Sequence, residues 1–352
     1  MSDTFKVEEL HPITRVLLEK RGVVGKDEIE KFLFPLYERD IGDPFLIHGM
    51  KEAVKRITDA IRNEEKIAVY SDYDCDGIPG GVLLRTFFDD IGYPVEMYVP
   101  HRHNEGYGLH NHAIDALKEK GVSLIITVDL AITNIEEVAY AKSVGVDMIV
   151  TDHHLPITEE VKGGRLKVKD KKPKLVQVVP DAVAVINSKQ GICTYHDDML
   201  CGCAVAWKLV CALISKIRED KTLGDIYTKI SSLPIGFEKW YLDLVGISTI
   251  ADMVPLKNEN RALAYYGLKV LRKTKRPGLL HIFNEQRMML GHLTEDDIAF
   301  TIAPRINAAG RMGDPIQAHN MLYERNKEKA ENYARDLELL NTQRKGEVKD
   351  IV

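Results

Sequence analysis

Residues 66–77 read Lys66-Ile67-Ala68-Val69-Tyr70-Ser71-Asp72-Tyr73-Asp74-Cys75-Asp76-Gly77. The opening apolar run, 66–70, predicts a buried strand. Three aspartates at alternate positions follow it, closed by a glycine. Projecting together from an extended segment they would repel one another, a cost that a bound cation removes. Gly77 permits a sharp turn into a helix predicted over 80–91, whose N-terminus favours anions. The string Asp-x-Asp-x-Asp-Gly is also half of a calcium loop, but the spaced Glu of such a loop is missing.

The same punctuation recurs outward from this stretch. Strands are predicted over 95–99, 123–128, 146–150 and 182–186, with helices over 112–120 and 134–144 between them. Strands alternating with helices imply an α/β fold, a doubly wound parallel sheet. Sites in such sheets lie beyond the carboxyl ends of the strands. Asp72, Asp129 (after Ile125-Ile126-Thr127-Val128) and Asp152 all fall there. Asp129 suits a ligand bridging two metals, and equally a helix cap. Asp152-His153-His154 is stronger, because adjacent histidines after a strand rarely share a core and point to a metal or a phosphate. Asp252 ends an apolar helical stretch (245–251), where an unpaired acid would be costly to bury. Acids and imidazoles so gathered suit two hard or borderline divalent cations, the means of activating water against a phosphate ester.

The flanks are helical. Residues 1–65 form a helical N-terminal lead-in, with apolar spacing over 13–18, 29–33 and 50–61. The parallel-sheet unit spans 66–200. A helical part follows over 201–325 (helices at 201–217, 238–252, 259–273, 295–303 and 315–323), and a polar connector helix over 326–352. Lys162–Lys174 carries seven cations and one acid. It reads either as a solvated hairpin or as a basic finger touching phosphates. Cys201-Gly202-Cys203 is too tight for a zinc pair and reads as core.

Bulk properties bound the class. The 352 residues, 45% apolar and 29% charged, suffice for two domains or one large one. The net charge of −5 argues against non-specific coating of nucleic acid, though not against a local basic groove. No apolar run reaches the ~18 residues of a membrane span, and the start is no signal peptide. Five irregularly spaced cysteines fit a reducing, cytoplasmic setting rather than a disulfide framework.

Together these motifs resemble the DHH phosphoesterase superfamily, and within it the RecJ-type single-stranded-DNA exonucleases. Asp72–Gly77 matches the first motif, Val128-Asp129 the second and Asp152-His153-His154 the third. Gly246–Leu256 with Glu259-Asn260-Arg261 matches the fourth, and Pro304–Arg311 (PRINAAGR) is the most RecJ-specific string. Leu200-Cys201-Gly202 and Asn341–Arg344 add further matches. The resemblance implies metal-dependent 5′→3′ hydrolysis of single-stranded DNA with Mn2+ or Mg2+, in recombination or repair. It implies Asp72, Asp74 and Asp129 on one metal, and Asp76, Asp129, His153 and Asp252 on the other. His154 would contact the phosphate or orient water, with Asp152 orienting a histidine. Arg102, Arg305 and Arg311 would grip phosphates, with Asn307 shaping the turn between them. The alternatives are a phosphodiesterase for short oligonucleotides or cyclic dinucleotides, and a nuclease half whose second lobe comes from a separate chain. Replication or repair proteins are the other expected partners.

Three departures stand out. The chain ends soon after Asn341–Arg344, before the family's second lobe and oligonucleotide-binding barrel. Leu130-Ala131 stands where the family usually has Asn-Gly. Pro79 replaces a small hydroxyl residue.

Overall fold

The structure, a computed structural model, describes residues 9–160 and 175–351. The lead-in comprises α1 (Pro12–Lys20), α2 (Lys26–Leu33), the single turn α3 (Tyr37–Asp40) and α4 (Met50–Arg62). On α4, Met50, Ala53, Val54, Ile57, Ala60 and Ile61 are buried at helical spacing, so one stripe faces the sheet. Then come β1 (Lys66–Ser71), α5 (Gly77–Asp90), β2 (Glu96–Tyr98), α6 (Asn111–Glu119), β3 (Val122–Val128), α7 (Ile135–Ser143) and β4 (Asp147–Thr151). β5 (Ile157–Glu160) and β6 (Leu175–Val178) pair antiparallel, and β7 (Ala184–Ile186) returns to the main sheet.

That sheet runs β2-β1-β3-β4-β7, with every pairing parallel. Its central strands are buried on both faces, which is why they read as continuous apolar runs. Ile67 and Val69 face one apolar cluster, together with α4 and α5. Ala68 and Tyr70 face another, built with α6 and α7. The expected doubly wound sheet is therefore present.

The remainder is helical: α8 (Gly202–Glu219), α9 (Gly224–Ser232), α10 (Leu242–Ala251), α11 (Asn258–Leu271), α12 (Pro277–Glu285), the turn α13 (Glu295–Asp297), α14 (Ala303–Met312), α15 (Ile316–Tyr323) and α16 (Lys327–Ile351). A π-helical segment, Ile298–Ile302, joins α13 to α14. Residues of α8 and α10 share the apolar cluster that covers one face of the sheet, so the helical part closes over the sheet rather than standing apart from it.

Two differences from the sequence reading matter for the site. PRINAAGR, expected as a turn, is the helix α14, with Pro304 tolerated in its first turn. The β5–β6 pair lies in the charged excursion where no strand was expected. The basic stretch read at 162–174 lies outside the described residues.

Candidate metal centre

The sheet register lines up three acids. Ser71 pairs with Val128, Val128 with Thr151, and Thr151 with Ile186. The ladder continues one residue further: Asp72 N donates to Val128 O (3.1 Å), Asp129 N to Thr151 O (2.9 Å) and Asp152 N to Ile186 O (3.1 Å). Each aspartate is thus the first residue beyond its strand. Strand order reverses between β1 and β3, the switch point where open α/β sheets bind ligands.

Three groups of ligand atoms, each gathered within 4.8 Å, form here: Asp72, Asp74 and Asp129; Asp76, His153 and Asp252; and Asp129, His153 and His154. His153 Nε2 lies 3.1 Å from Asp129 Oδ1 and 3.7 Å from both Asp76 Oδ2 and Asp252 Oδ2. Asp252 arrives from the end of α10, so the helical part completes the cluster. Burial of Asp72, then the charge of Asp74, pushes its carboxyl up to about 8. Burial, then Asp76 and Asp74, pushes Asp252 up to about 7. Burial also raises Asp129 and Asp76, and holds His153 below the ordinary histidine value.

The residues fit a pair of cations. Asp72 Oδ1 and Asp129 Oδ1 are buried and accept no hydrogen bond, despite the closeness of His153 to the latter. Buried carboxylate oxygens without a donor are costly unless a cation faces them. The remaining geometry holds these ligands in place. Asp74 Oδ1 accepts from Asp76 N (2.7 Å) and Gly77 N (3.1 Å), which shapes the turn into α5. Asp152 is not in any of the three groups. Its Oδ1 accepts from His154 Nδ1 (2.8 Å) and its Oδ2 from Ile132 N (2.9 Å). Burial pushes Asp152 upward, but these bonds win and its carboxyl stands below the usual value. The bond to Asp152 raises His154 above the ordinary histidine value.

A cavity of ≈ 250 Å³ opens beside the cluster, lined among others by Asp72, Asp74, His154, Arg102, Asn307 and Arg311. The Arg102 guanidinium lies 5.3 Å from the Tyr73 ring centre. Arg305 does not take part. It is 3% exposed, its Nε is 2.5 Å from Glu338 Oε2 on α16, and its Nη1 donates to Thr301 O. The phosphate-gripping role expected of Arg305 is corrected accordingly: the rotation of α14 turns it away from the cavity and onto α16. Asn307 is likewise no turn residue. Its Oδ1 accepts from Cys75 N (2.9 Å) and so ties α14 to the aspartate loop.

Sequence reasoning missed the N-terminus of α8. Gly202 N (2.6 Å) and Cys203 N (2.8 Å) donate to the two oxygens of Asp76. A Cβ on Gly202 would lie 2.6 Å from Asp129 Cβ and Oδ1. The available signal was Gly202 itself, which the family resemblance includes in Leu200-Cys201-Gly202 without giving its main-chain amide a role. Asn260 was also missed as a staple: its Nδ2 donates to Met199 O (2.6 Å), before α8, and to Pro255 O (3.3 Å), after Asp252.

Residues 66–235 match the DHH family, N-terminal domain. The chain carries a DHH-family N-terminal domain. This DHH chain is 36% identical over 339 residues to the single-stranded-DNA-specific exonuclease RecJ of Bacillus subtilis, covering 96% of this chain and 38% of that protein. It is 31% identical over 342 residues to the Escherichia coli protein of the same name, covering 96% and 54%. A solved exonuclease RecJ bound to manganese matches with a TM-score of 0.68 at 29% identity, over 85% of this chain and 67% of that one. RecJ of Thermus thermophilus in complex with Mn2+ matches at 0.67 and 26% identity, over 94% and 41%. The DHH chain thus spans about half, or less, of the length of these curated relatives.

Proposed function

We propose that this chain is the catalytic core of a RecJ-like nuclease, hydrolysing phosphodiester bonds of single-stranded DNA from the 5′ end. The observation that carries the reading is the convergence of Asp72, Asp74, Asp76, Asp129, His153 and Asp252, with unpartnered carboxylate oxygens, beside a cavity lined by Arg102 and Arg311. Asp72, Asp74 and Asp129 would hold one Mn2+ or Mg2+, and Asp76, Asp129, His153 and Asp252 the other. When bound, such a pair offsets negative charge developing on phosphoryl oxygens and makes water a better nucleophile at neutral pH.

The chain's own groups do the rest. Arg102 and Arg311 are exposed cations on the cavity wall, suited to neutralise phosphate oxygens. Asp152 fixes the ring of His154 through Nδ1, leaving Nε2 to face a phosphate or a water. Because Asp152 favours its charged form, His154 can donate a proton to a phosphate oxygen. Tyr107 donates to the Asp129 carbonyl (3.4 Å) and lines the same cavity.

The setting follows from the same reading. Among the described residues no helix is long and apolar enough to cross a membrane, and all five cysteines are free. These fit a reducing cytoplasm, and the likeness to the RecJ exonucleases extends the reading to DNA recombination or repair, with other repair proteins as partners. The test is a manganese-dependent digestion of 5′- and 3′-labelled single strands beside a dinucleotide, with Asp74→Ala in parallel. Release of the 5′ label first, abolished in the variant, is expected. Preference for the dinucleotide would instead make the chain a phosphodiesterase of short substrates, and equal release by the variant would reject the site.

A further inference from the structure

A second cavity, of ≈ 450 Å³, lies where α5, α10, the segment before α12 and the end of α15 meet. It is not part of the metal centre. Asp76 stands at the start of α5 and Thr86, on the cavity wall, ten residues later, about 15 Å along the helix axis. α10 repeats the relation: Asp243 lines the cavity at its first turn, and Asp252 lies beyond its last.

The wall combines a flat aromatic face with cations that have no internal partner. Trp240 is 54% exposed, whereas the other tryptophan, Trp207, is buried in the core. Lys273 and Lys275 are exposed, and their ammonium groups make no ion pair or hydrogen bond among the described residues. The other cations nearby are already paired. Arg276 Nε pairs with Asp243 (2.9 Å) and its Nη1 donates to Leu322 O. Arg325 pairs with Asp90 (2.6 Å), and the Glu324 carboxylate is turned onto Asn326 N (2.8 Å). The floor is rigid as well, since the Arg85 guanidinium stacks 4.0 Å from the Tyr323 ring centre. The cavity is therefore preformed, and the wall charges without an ion-pair partner are the two lysines and the Glu324 carboxylate, a net excess of one cation. The first turn of α12, with Pro277 at its start, adds the positive end of a helix of nine residues.

We propose that this cavity binds a nucleoside phosphate. The base would stack on Trp240, and the phosphate would sit between Lys273, Lys275 and the α12 N-terminus. An indole face accepts any base, and two unpaired ammonium groups match the dianion of a monophosphate. The volume falls within the range of small-molecule sites. A local excess of cations on a chain of net charge −5 is itself a departure that a ligand explains.

The test is equilibrium dialysis of the full chain with labelled deoxyadenosine monophosphate in EDTA, which silences the metal centre, alongside tryptophan fluorescence. The variants are Trp240→Leu and the double variant Lys273→Ala/Lys275→Ala. All three side chains are exposed and unpaired, so melting temperatures serve as the folding control. The expected result is saturable binding with quenching, weakened about tenfold by either variant, the loss typical of one stacking or phosphate contact. No saturation at millimolar nucleotide overturns the proposal. So does equal binding of inorganic phosphate that is indifferent to Trp240→Leu, which would mark a bare anion site. Tighter binding of an acidic peptide than of the nucleotide would also overturn it.

Discussion

Replacing Gly202 by alanine tests how the centre is held. The added methyl carbon would stand 2.6 Å from Asp129 Cβ and Oδ1, where ordinary contacts begin near 3.4 Å. Something must move by about 1 Å. Asp129 cannot yield easily, because its N–H is bonded to Thr151 O at the end of the sheet ladder. The start of α8 must then withdraw, and with it the Gly202 and Cys203 amides that hold Asp76 at 2.6 and 2.8 Å. Overpacking of this kind costs about 1–3 kcal/mol, which a chain this size survives folded. A displacement of about 1 Å at reacting groups costs about 10²-fold in rate. The expected variant is therefore folded, with Tm lowered by a few degrees, weaker manganese binding by calorimetric titration, and kcat/KM on single-stranded DNA about 10²-fold lower. Wild-type metal affinity and rate in a correctly folded Gly202→Ala chain would refute the claim that the α8 N-terminus positions Asp76 and Asp129.

Three further outcomes follow. Ala131 sits at φ +89°, where a side chain is strained. Ala131→Gly should raise stability by about 0.5–1 kcal/mol in urea unfolding, the relief of strain exceeding the extra freedom that glycine gives the unfolded chain. Arg305→Ala should act through stability, costing about 1–2 kcal/mol by removing a buried side chain and leaving the Thr301 carbonyl unpaired, with KM little changed. Arg311→Ala should raise KM about tenfold and leave Tm alone, and the opposite pattern would restore Arg305 to the cavity. Finally, the metal-free chain should lose stability as pH rises. Asp72 (about 8) and Asp252 (about 7) keep their protons in the fold over a range where the unfolded chain has lost them. Stability from these groups is therefore present below the unfolded carboxylate range and lost as pH climbs through 7–8. Manganese binding must displace the same protons, so the Tm increment from manganese should grow between pH 6 and pH 8, and a flat increment would count against those acids as ligands.

What was legible in the sequence is what local pattern encodes. A strand fully buried in a parallel sheet must be apolar throughout, so β1, β3 and β4 show as runs, and the residue after each run must lie at the sheet's carboxyl edge. Asp72, Asp129 and Asp152 could thus be placed without knowing which strand neighbours which. PRINAAGR defeated the same logic. The resemblance placed a turn at Asn307, but the helix runs through it: Pro304 comes just after the π-helical segment Ile298–Ile302, and Gly310 packs against the Tyr73 carbonyl, with a virtual Cβ 3.0 Å away. Arg305 and Arg311 look equivalent in the string. On a helix they are six residues apart, about 600° of rotation, so they diverge by roughly 120° and cannot share a cavity.

The residues that stayed hidden share one physical cause. Gly202 and Cys203 act through main-chain amides, which every residue carries, and Asn260 acts through two carbonyls that only tertiary structure brings together. None advertises its chemistry by side-chain type. Yet they decide the geometry at Asp76 and Asp252, because each joins the parallel sheet's edge to the helices that close over it. Asp76 is fixed from α8 rather than from its own strand, and Asp252 belongs to a segment tied by Asn260 to the residue three positions before Gly202. These two of the four ligands of the second cation site are therefore coupled through α8 and Asn260. A perturbation at Asn260 should be felt at that site before it reaches Asp72 and Asp74, which the β1 end and the Asn307 bond hold independently.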